Sequence, residues 1–250
     1  MTKENISVVL IAHNEEKVIG KMIEGLLLHY ENRILELIVV DDASTDTTAS
    51  IVERWKKNNK KVRLVKRAPP CGVGRAIKTG FASVDPKAEY VLTMDSDFIE
   101  SIREVSRLID EIGRKGCDGI MGSRFIEGSR LRGYPPHKKV MNRIFHYTVS
   151  ALFGIRQKDL SNNFKLYKYS VIQSLPWRSN GFSINAETGI LPILGGYDIR
   201  EVPVSWVGRN RGMGISKFKL LRVVWGYMLT IPHAIWFSLG CRLGGGHPRR

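Results

Sequence analysis

Tyr90-Val91-Leu92-Thr93-Met94-Asp95-Ser96-Asp97 is the stretch on which the reading of the fold turns. Its apolar run reads as a buried strand and ends in two carboxylates, i and i+2. In open α/β sheets, ligands bind in the loops at strand ends. Two acidic side chains at such an edge can share one hard divalent cation. That cation would neutralise a diphosphate that neither carboxylate could approach unaided. Taken alone, the tripeptide fits a solvated turn equally well, because Asp and Ser are turn formers. The neighbouring sequence decides between the two.

Upstream, residues 6–12, 36–40 and 62–66 read as strands, and 89–94 as the strand just quoted. Residues 15–28, 45–56 and 74–83 read as helices, the second capped by Ser44 or Thr45. The first helix places Val18, Met22, Ile23, Leu26 and Leu27 on one side. Downstream, residues 102–114 form a helical pattern with Val105, Leu108, Ile109 and Ile112 inward, and 117–122 a strand. Alternating strand and helix predicts an α/β fold: a mostly parallel central sheet with helices on both faces and right-handed crossovers. Residues 138–153 read as an amphipathic helix with Val140, Met141, Ile144, Tyr147, Val149 and Leu152 apolar. Residues 187–194 look helical, 199–204 look like a strand, and 205–217 form a Gly- and Arg-rich loop.

The 250 residues are 43% hydrophobic, enough for one large core, and carry a formal net charge of +15. Such a field attracts anions: nucleic acid, lipid head groups or phosphorylated substrates. Three scattered cysteines without a CxxC pair exclude a zinc ribbon or disulfide framework and fit a reducing, cytosol-facing location. The N-terminus shows no signal-peptide apolar region. Residues 223–240 contain one strongly polar side chain, His233, together with Trp225, Tyr227, Trp236 and Phe237. The segment is borderline in length for spanning a bilayer, and Pro232 predicts a kink. Basic residues on both flanks favour a helix lying on or shallowly inserted into anionic lipid, over a buried C-terminal helix. The short basic tail after Gly240 predicts no further membrane segment. The expected division is a catalytic domain over 1–217 and a membrane-associated helix with basic tail over 218–250.

Four polar or Gly-rich loops follow four successive strands: His13-Asn14-Glu15-Glu16, Asp41-Asp42-Ala43-Ser44-Thr45-Asp46, Cys71-Gly72-Val73-Gly74-Arg75-Ala76 and Asp95-Ser96-Asp97. In a parallel sheet all four lie at the carboxyl edge and could surround one ligand. The Gly loop is not a P-loop, having no Gly-Lys-Ser/Thr. It fails as a dinucleotide fingerprint, because the third Gly is missing and the loop comes third in the chain. A nicotinamide dehydrogenase is therefore disfavoured. So is a nucleic-acid-binding module, because the basic residues lack interleaved aromatics.

Further marks lie downstream: Gly122-Ser123-Arg124, Asn163-Phe164-Lys165-Leu166-Tyr167, Glu201-Val202-Pro203-Val204 and Arg211-x-x-Gly214-x-Ser216-Lys217. With the four loops, they make the chain resemble the family-two glycosyltransferases of GT-A fold, and within them the dolichyl- or polyprenyl-phosphate mannose (or glucose) synthase branch. The resemblance covers residues 6–219. It implies transfer of a hexose from a nucleotide diphosphate sugar to a polyprenyl or dolichyl phosphate at a membrane surface. Mg²⁺ or Mn²⁺ would assist. It also implies roles. Ala12, Asn14, Glu15, Asp41, Asp42, Gly72, Arg75 and Ser96 would contact the nucleotide sugar. Asp95 and Asp97 would hold metal and diphosphate. Arg124, with Lys138, Lys139 and Asn163, would hold the acceptor phosphate. Arg211, Ser216 and Lys217 would close a mobile loop on the diphosphate. Asp95, Asp97, Arg124 and Arg211 would be the catalytic set.

The physics agrees with such a reaction. A phosphate monoester is anionic near neutral pH and attacks without a general base, whereas a hydroxyl acceptor needs one. Glu187 and Asp159 are the base candidates for the hydroxyl alternative. Two departures from the family pattern stand out. Ile99 replaces a metal-binding Gln, which predicts weaker metal affinity or a catalytically weak homologue that only binds nucleotide. Asn163-Phe164-Lys165 replaces Gly-Phe-Arg, keeping the charge but losing the bidentate fork.

Overall fold

The computed structural model describes residues 5–207 and 220–243; the expectations for Arg211, Ser216 and Lys217 lie outside them. The chain opens β1 (Ile6–Ala12), α1 (Ile19–Tyr30), β2 (Ile34–Asp42), α2 (Thr48–Asn58), β3 (Val62–Arg67), α3 (Val73–Ala82) and β4 (Tyr90–Asp95). A 3₁₀ turn, Ile99–Glu104, then leads into α4 (Val105–Lys115) and β5 (Gly119–Ser123). There follow β6 (Leu131–Arg132), α5 (Pro136–Phe153), β7 (Lys165–Lys168), α6 (Tyr169–Ser174), α7 (Ile184–Leu194), β8 (Ile199–Pro203), β9 (Trp206–Val207) and α8 (Leu220–Leu243).

Seven strands form one sheet in the order β3-β2-β1-β4-β7-β5-β8. Strands β1 to β4 run parallel, and so do β5 and β8. Between these two groups β7 runs antiparallel to both neighbours. Of the parallel strands, β1, β2, β4 and β5 are buried on both faces, as covering helices require, while β3 and β8 are more open. Residues of α1, α2 and α4 build the core on one face, with Ile23, Leu26, Val52 and Leu108 fully buried. On the other face, α3 and α5–α8 contribute Ile77, Val149, Ile172, Ile190 and Ala234. The inward residues expected of α1 and α4 are all buried.

Several expectations need correction. Helix α1 starts at Ile19 rather than at residue 15, and α2 at Thr48 rather than 45. The N-cap of α2 is Thr47, whose side chain makes no capping bond. The reason is that nearby hydroxyls act across loops: Ser44 Oγ accepts the Asn14 N–H at 2.9 Å, and Thr48 Oγ1 accepts that of Glu15 at 2.8 Å. Strands β2 and β4 run on to include Asp41, Asp42 and Asp95, which pair with their neighbours in parallel register. Strand β7, which the sequence pattern did not reveal, occupies the middle of the sheet.

The amphipathic reading of α5 holds, but its apolar side does not face the core. Val149 is fully buried, while Val140, Ile144, Tyr147 and Leu152 are each more than half exposed. Helix α8 contains Pro232 and packs Ile231, Ala234 and Phe237 inward. Met228, Leu229, Ile235, Trp236 and Leu239 point outward. Among the described residues, no helix is long and apolar enough to cross a membrane.

Gly119 marks the tightest point of the β5–β7 seam, where a Cβ would overlap the ring of Tyr167. That ring is buried, and its hydroxyl donates to Thr188 O at 2.9 Å. Gly119→Ala is therefore expected to cost about 1–3 kcal/mol by overpacking, read as a lowered urea midpoint at unchanged slope.

Candidate active site

The first two loops are stitched together by their own polar groups. Asn14 Oδ1 accepts the Thr45 N–H at 2.7 Å, Glu16 Oε2 accepts the Thr47 hydroxyl at 2.7 Å, and Asp41 Oδ1 accepts the Ser44 N–H at 3.2 Å. Asn14 and Ala43 both adopt left-handed backbone conformations, at φ 55° and 56°. Asn tolerates that region, whereas Ala is strained there, a cost that clusters at functional loops. Asp42 ties the second loop to the third. It pairs with Arg67 on β3, and its other oxygen accepts the Gly72 N–H at 2.6 Å.

These loops and the downstream half enclose a cavity of about 660 Å³. Its polar wall carries Glu15, Asp42, Gly72, Arg75, Asp95, Ser96, Asp97, Arg124, Lys138 and Asn163. Ten expected site residues thus meet in one cavity. Ala12, Asn14, Asp41 and Lys139 are not part of its wall. Ala12 is fully buried within β1, Asn14 and Asp41 brace the loops, and Lys139 points to solvent one helical step past Lys138.

Asp95 closes β4, and its Oδ1 accepts the Asn163 side-chain amide at 2.9 Å. Asn163 thereby orients this carboxylate from within the same cavity wall. Asp95 and Asp97 offer hard oxygen donors, the type that suits Mg²⁺ or Mn²⁺. Among the described residues no group of three or more His, Cys, Asp or Glu could hold a metal. The pair fits a cation that keeps water or substrate oxygens in its other positions. Ile99 packs against the apolar core and supplies no donor.

Arg124 follows β5 and is almost entirely buried. Its guanidinium makes a two-pronged ion pair with Asp159, at 2.7 and 2.8 Å, and its centre sits 5.5 Å from the rings of both Phe125 and Tyr134. Burial alone would lower the Arg124 pKa, but the charge and hydrogen bonds of Asp159 outweigh it and raise the pKa. Burial pushes the Asp159 carboxyl up, yet Arg124 holds it below the ordinary range. Asp159, a base candidate for the hydroxyl alternative, is thus a fixed counterion. Replacing it by Asn leaves a buried guanidinium unpaired, so Asp159→Asn is expected to lower unfolding free energy by about 3–5 kcal/mol, measured in urea.

Lys165 does not reach the cavity. It is fully buried in β7, with Nζ bonded to Asn185 O at 2.6 Å and Thr188 Oγ1 at 2.8 Å. Desolvation lowers its pKa to about 7. Below that pH the amine is charged in the folded and unfolded chains alike, and the full penalty weighs on the fold. From there up to its ordinary value of 10.5, only the unfolded chain keeps the proton, so the penalty shrinks as pH rises. Wild type should therefore gain stability relative to Lys165→Met between pH 7 and about 9.5 in paired urea titrations. An offset that is the same at both pH values would overturn this assignment.

Tyr134, Asn142, Ser161, Asn162, Phe182, Asn185 and Trp206 also line the cavity, and sequence reasoning did not single them out. They sit on irregular connections and on α5 and α7, with no spacing that marks them. Helices α5 and α8 add an apolar part of the wall: Met141, Ile144, Phe145, Met228 and Ile231. The rings of Phe145 and Tyr227 lie 4.8 Å apart where the two helices meet.

Residues 7–175 match the family described as "Glycosyl transferase family 2". The polyprenol monophosphomannose synthase of Mycolicibacterium smegmatis is 26% identical over 215 residues, spanning 84% of this chain and 79% of its own length. The dolichyl-phosphate beta-glucosyltransferase of Trichomonas vaginalis is 27% identical over 248 residues, spanning 93% of this chain and 71% of its own. Among solved structures, glucosyl-3-phosphoglycerate synthase from Mycobacterium tuberculosis, in complex with Mn²⁺ and uridine-diphosphate-glucose, superposes with a TM-score of 0.68. That structure is 21% identical and the match covers 96% of this chain and 79% of the other, a likeness of fold.

Proposed function

The chain belongs to glycosyl transferase family 2, and from that premise we propose that it moves a hexose from a nucleotide diphosphate sugar to a polyprenyl or dolichyl phosphate at a membrane surface, with inversion. Mannose from GDP-mannose is the first assignment and glucose from UDP-glucose the second. The observation that carries this reading is the mixed lining of the cavity. Its wall combines charged groups, Asp95, Asp97, Arg124 and Lys138, with apolar ones, Ile144, Phe145, Met228 and Ile231. Such a wall suits an acceptor with an anionic head and an apolar tail. The relatives' names, polyprenol monophosphomannose synthase and dolichyl-phosphate beta-glucosyltransferase, support the same acceptor class.

A phosphate oxygen of the acceptor would attack the anomeric carbon as the bond to the nucleoside diphosphate breaks. The acceptor is already anionic, so no side chain need take its proton. This agrees with the state of the two carboxylates weighed as bases for a hydroxyl acceptor. Asp159 is engaged by Arg124, and Glu187 accepts the N–H groups of Arg178 and Ser179 at 2.6 and 2.7 Å. What the site must supply is cationic charge and fixed geometry. Lys138 and Arg124 supply charge on the acceptor side. Arg124 is held in place by Asp159 before any ligand arrives. Asp95 and Asp97 would hold the divalent cation, which when bound neutralises the leaving diphosphate. A Mn²⁺ complex of the structural neighbour supports that cation type.

The exposed apolar residues of α5 and α8 support docking on lipid. Tyr147 on α5 and Trp236 on α8 are exposed, as are the cavity-lining Ile144 and Met228, and Trp favours the membrane–water boundary. The basic residues Lys138, Lys139 and Arg143 on α5 suit anionic head groups.

The test is transfer itself. Purified protein is incubated with polyprenyl phosphate and radiolabelled GDP- and UDP-sugars, with and without Mn²⁺, and label in the organic phase is counted. Metal-dependent label from one donor is expected, and Asp97→Ala should reduce it by about 10²–10³-fold, the scale of removing one electrostatic stabiliser. Full turnover by Asp97→Ala would refute the metal role. Label that stays in the aqueous phase on a saccharide would move the assignment to a hydroxyl acceptor.

A further inference from the structure

The segment between α6 and α7, residues 178–183, touches three parts of the molecule. On the cavity side Asn180 O accepts the N–H groups of Gly74 and Arg75 at 3.1 and 3.3 Å. Lys78 Nζ adds bonds to Asn180 Oδ1 at 2.8 Å and Arg178 O at 3.2 Å. The approach is so close that a Cβ at Gly72 would overlap Asn180 O, and one at Gly74 would overlap Ser179 O. The two glycines expected to cradle a ligand are thus needed first to let this segment in. Asn180, Gly181 and Phe182 then stand in the cavity wall together with Gly72, Val73 and Arg75.

On the interior side the segment hangs on Glu187, in the first turn of α7. Its carboxylate is fully buried and accepts the consecutive N–H groups of Arg178 and Ser179, one on each oxygen. On the outer side it meets α8. His233 Nδ1 lies 3.4 Å from Glu187 Oε1, and the Arg178 guanidinium sits 4.6 Å over the Trp236 ring. A second cavity of about 560 Å³ separates much of the segment from α8, and these two contacts bridge the gap.

We propose that Glu187 is a positioning residue for the nucleotide half of the cavity, and that through His233 it ties that half to α8. The inference rests on the reading that the Gly72–Arg75 side receives the nucleotide sugar. The two shortest contacts of the Glu187 carboxylate, one on each oxygen, are backbone N–H donors, so the position requires two acceptor oxygens. A carboxamide of the same size would set an N–H against an N–H and release one anchor of the segment. The released segment includes the carbonyl that holds Gly74 and Arg75. A residue serving only to stabilise the fold would lower the melting temperature and leave nucleotide affinity unchanged in the folded protein. A positioning residue changes affinity well below the melting temperature.

The experiment is calorimetric titration of the full chain with GDP and with UDP, each with Mn²⁺, at a temperature where thermal melts show every variant folded. Glu187→Gln should weaken binding of the preferred nucleotide about tenfold, the equivalent of one hydrogen bond's worth of positioning energy. His233→Ala, outside the main cavity, should weaken it about threefold by the same conversion. In the transfer assay both should raise donor KM more than they lower kcat. Lys78→Met removes a half-exposed anchor and keeps the test open should Glu187→Gln fail to fold; several-fold weaker binding is expected there too. Wild-type affinity in the folded variants overturns the inference and leaves the function assignment standing. A wild type that binds neither nucleotide overturns both.

Discussion

Parallel pairing in near-perfect register is the constraint from which the rest of the molecule follows. Ala12 lies opposite Asp41, Ile11 opposite Asp95, and Asp42 opposite Arg67. The strands of this half therefore end at one edge, and β2 and β4 end there in acidic residues. Parallel strands need long crossovers, so the helices are forced onto the faces and the edge stays open for a ligand. Crowding carboxylates at one edge is unfavourable unless each is engaged. Arg67 pairs with Asp42, the Ser44 N–H bonds Asp41, and the Asn163 amide bonds Asp95. The edge is thus charged but braced, and it presents its negative groups at fixed positions.

The other half answers with cations, held just as firmly. Arg124 sits against two aromatic rings and is gripped by a buried Asp159. Asp159 in turn accepts the Arg124 backbone N–H at 2.9 Å, so one carboxylate fixes both ends of the residue. Beside it, His146 bonds Asn142 O and the Leu160 N–H, and burial keeps its pKa below the ordinary value. A neutral imidazole adds no charge next to the pair. The guanidinium is fixed by groups of the protein itself, which is how fixed charge stabilises a reacting anion most effectively.

Much of this was legible in the sequence, for identifiable reasons. Strands buried on both faces read as continuous apolar runs, so β1, β2 and β4 stood out, and the polar loops behind them revealed the site edge. Strand β7 did not stand out because it has four residues and begins and ends in lysine. Its first lysine is among the most deeply buried side chains, against every expectation for that residue type. The N-terminus of α2 was misplaced because Ser44 and Thr48 cap the neighbouring loop instead of their own helix. On α5 the periodicity was read correctly, but periodicity does not say whether an apolar side meets a core or the outside. Tyr134, Asn142, Asn185 and their neighbours escaped notice because their convergence is made by tertiary folding across more than fifty residues, and no local spacing records it.

The place of β7 has a consequence for how the chain comes into being. Strand β5 pairs only with β7 and β8, both made later, whereas β1 to β4 can pair with each other as soon as they emerge. During synthesis the first four strands can close into a sheet while β5 waits with its backbone unmatched. From Ser123 to Lys165 that wait is roughly two to eight seconds at ordinary ribosome speed. The last-arriving strand in the middle of the sheet then joins the two halves, and with them the acidic edge and the cationic wall. The nascent chain has no complete site until that strand has been threaded into place.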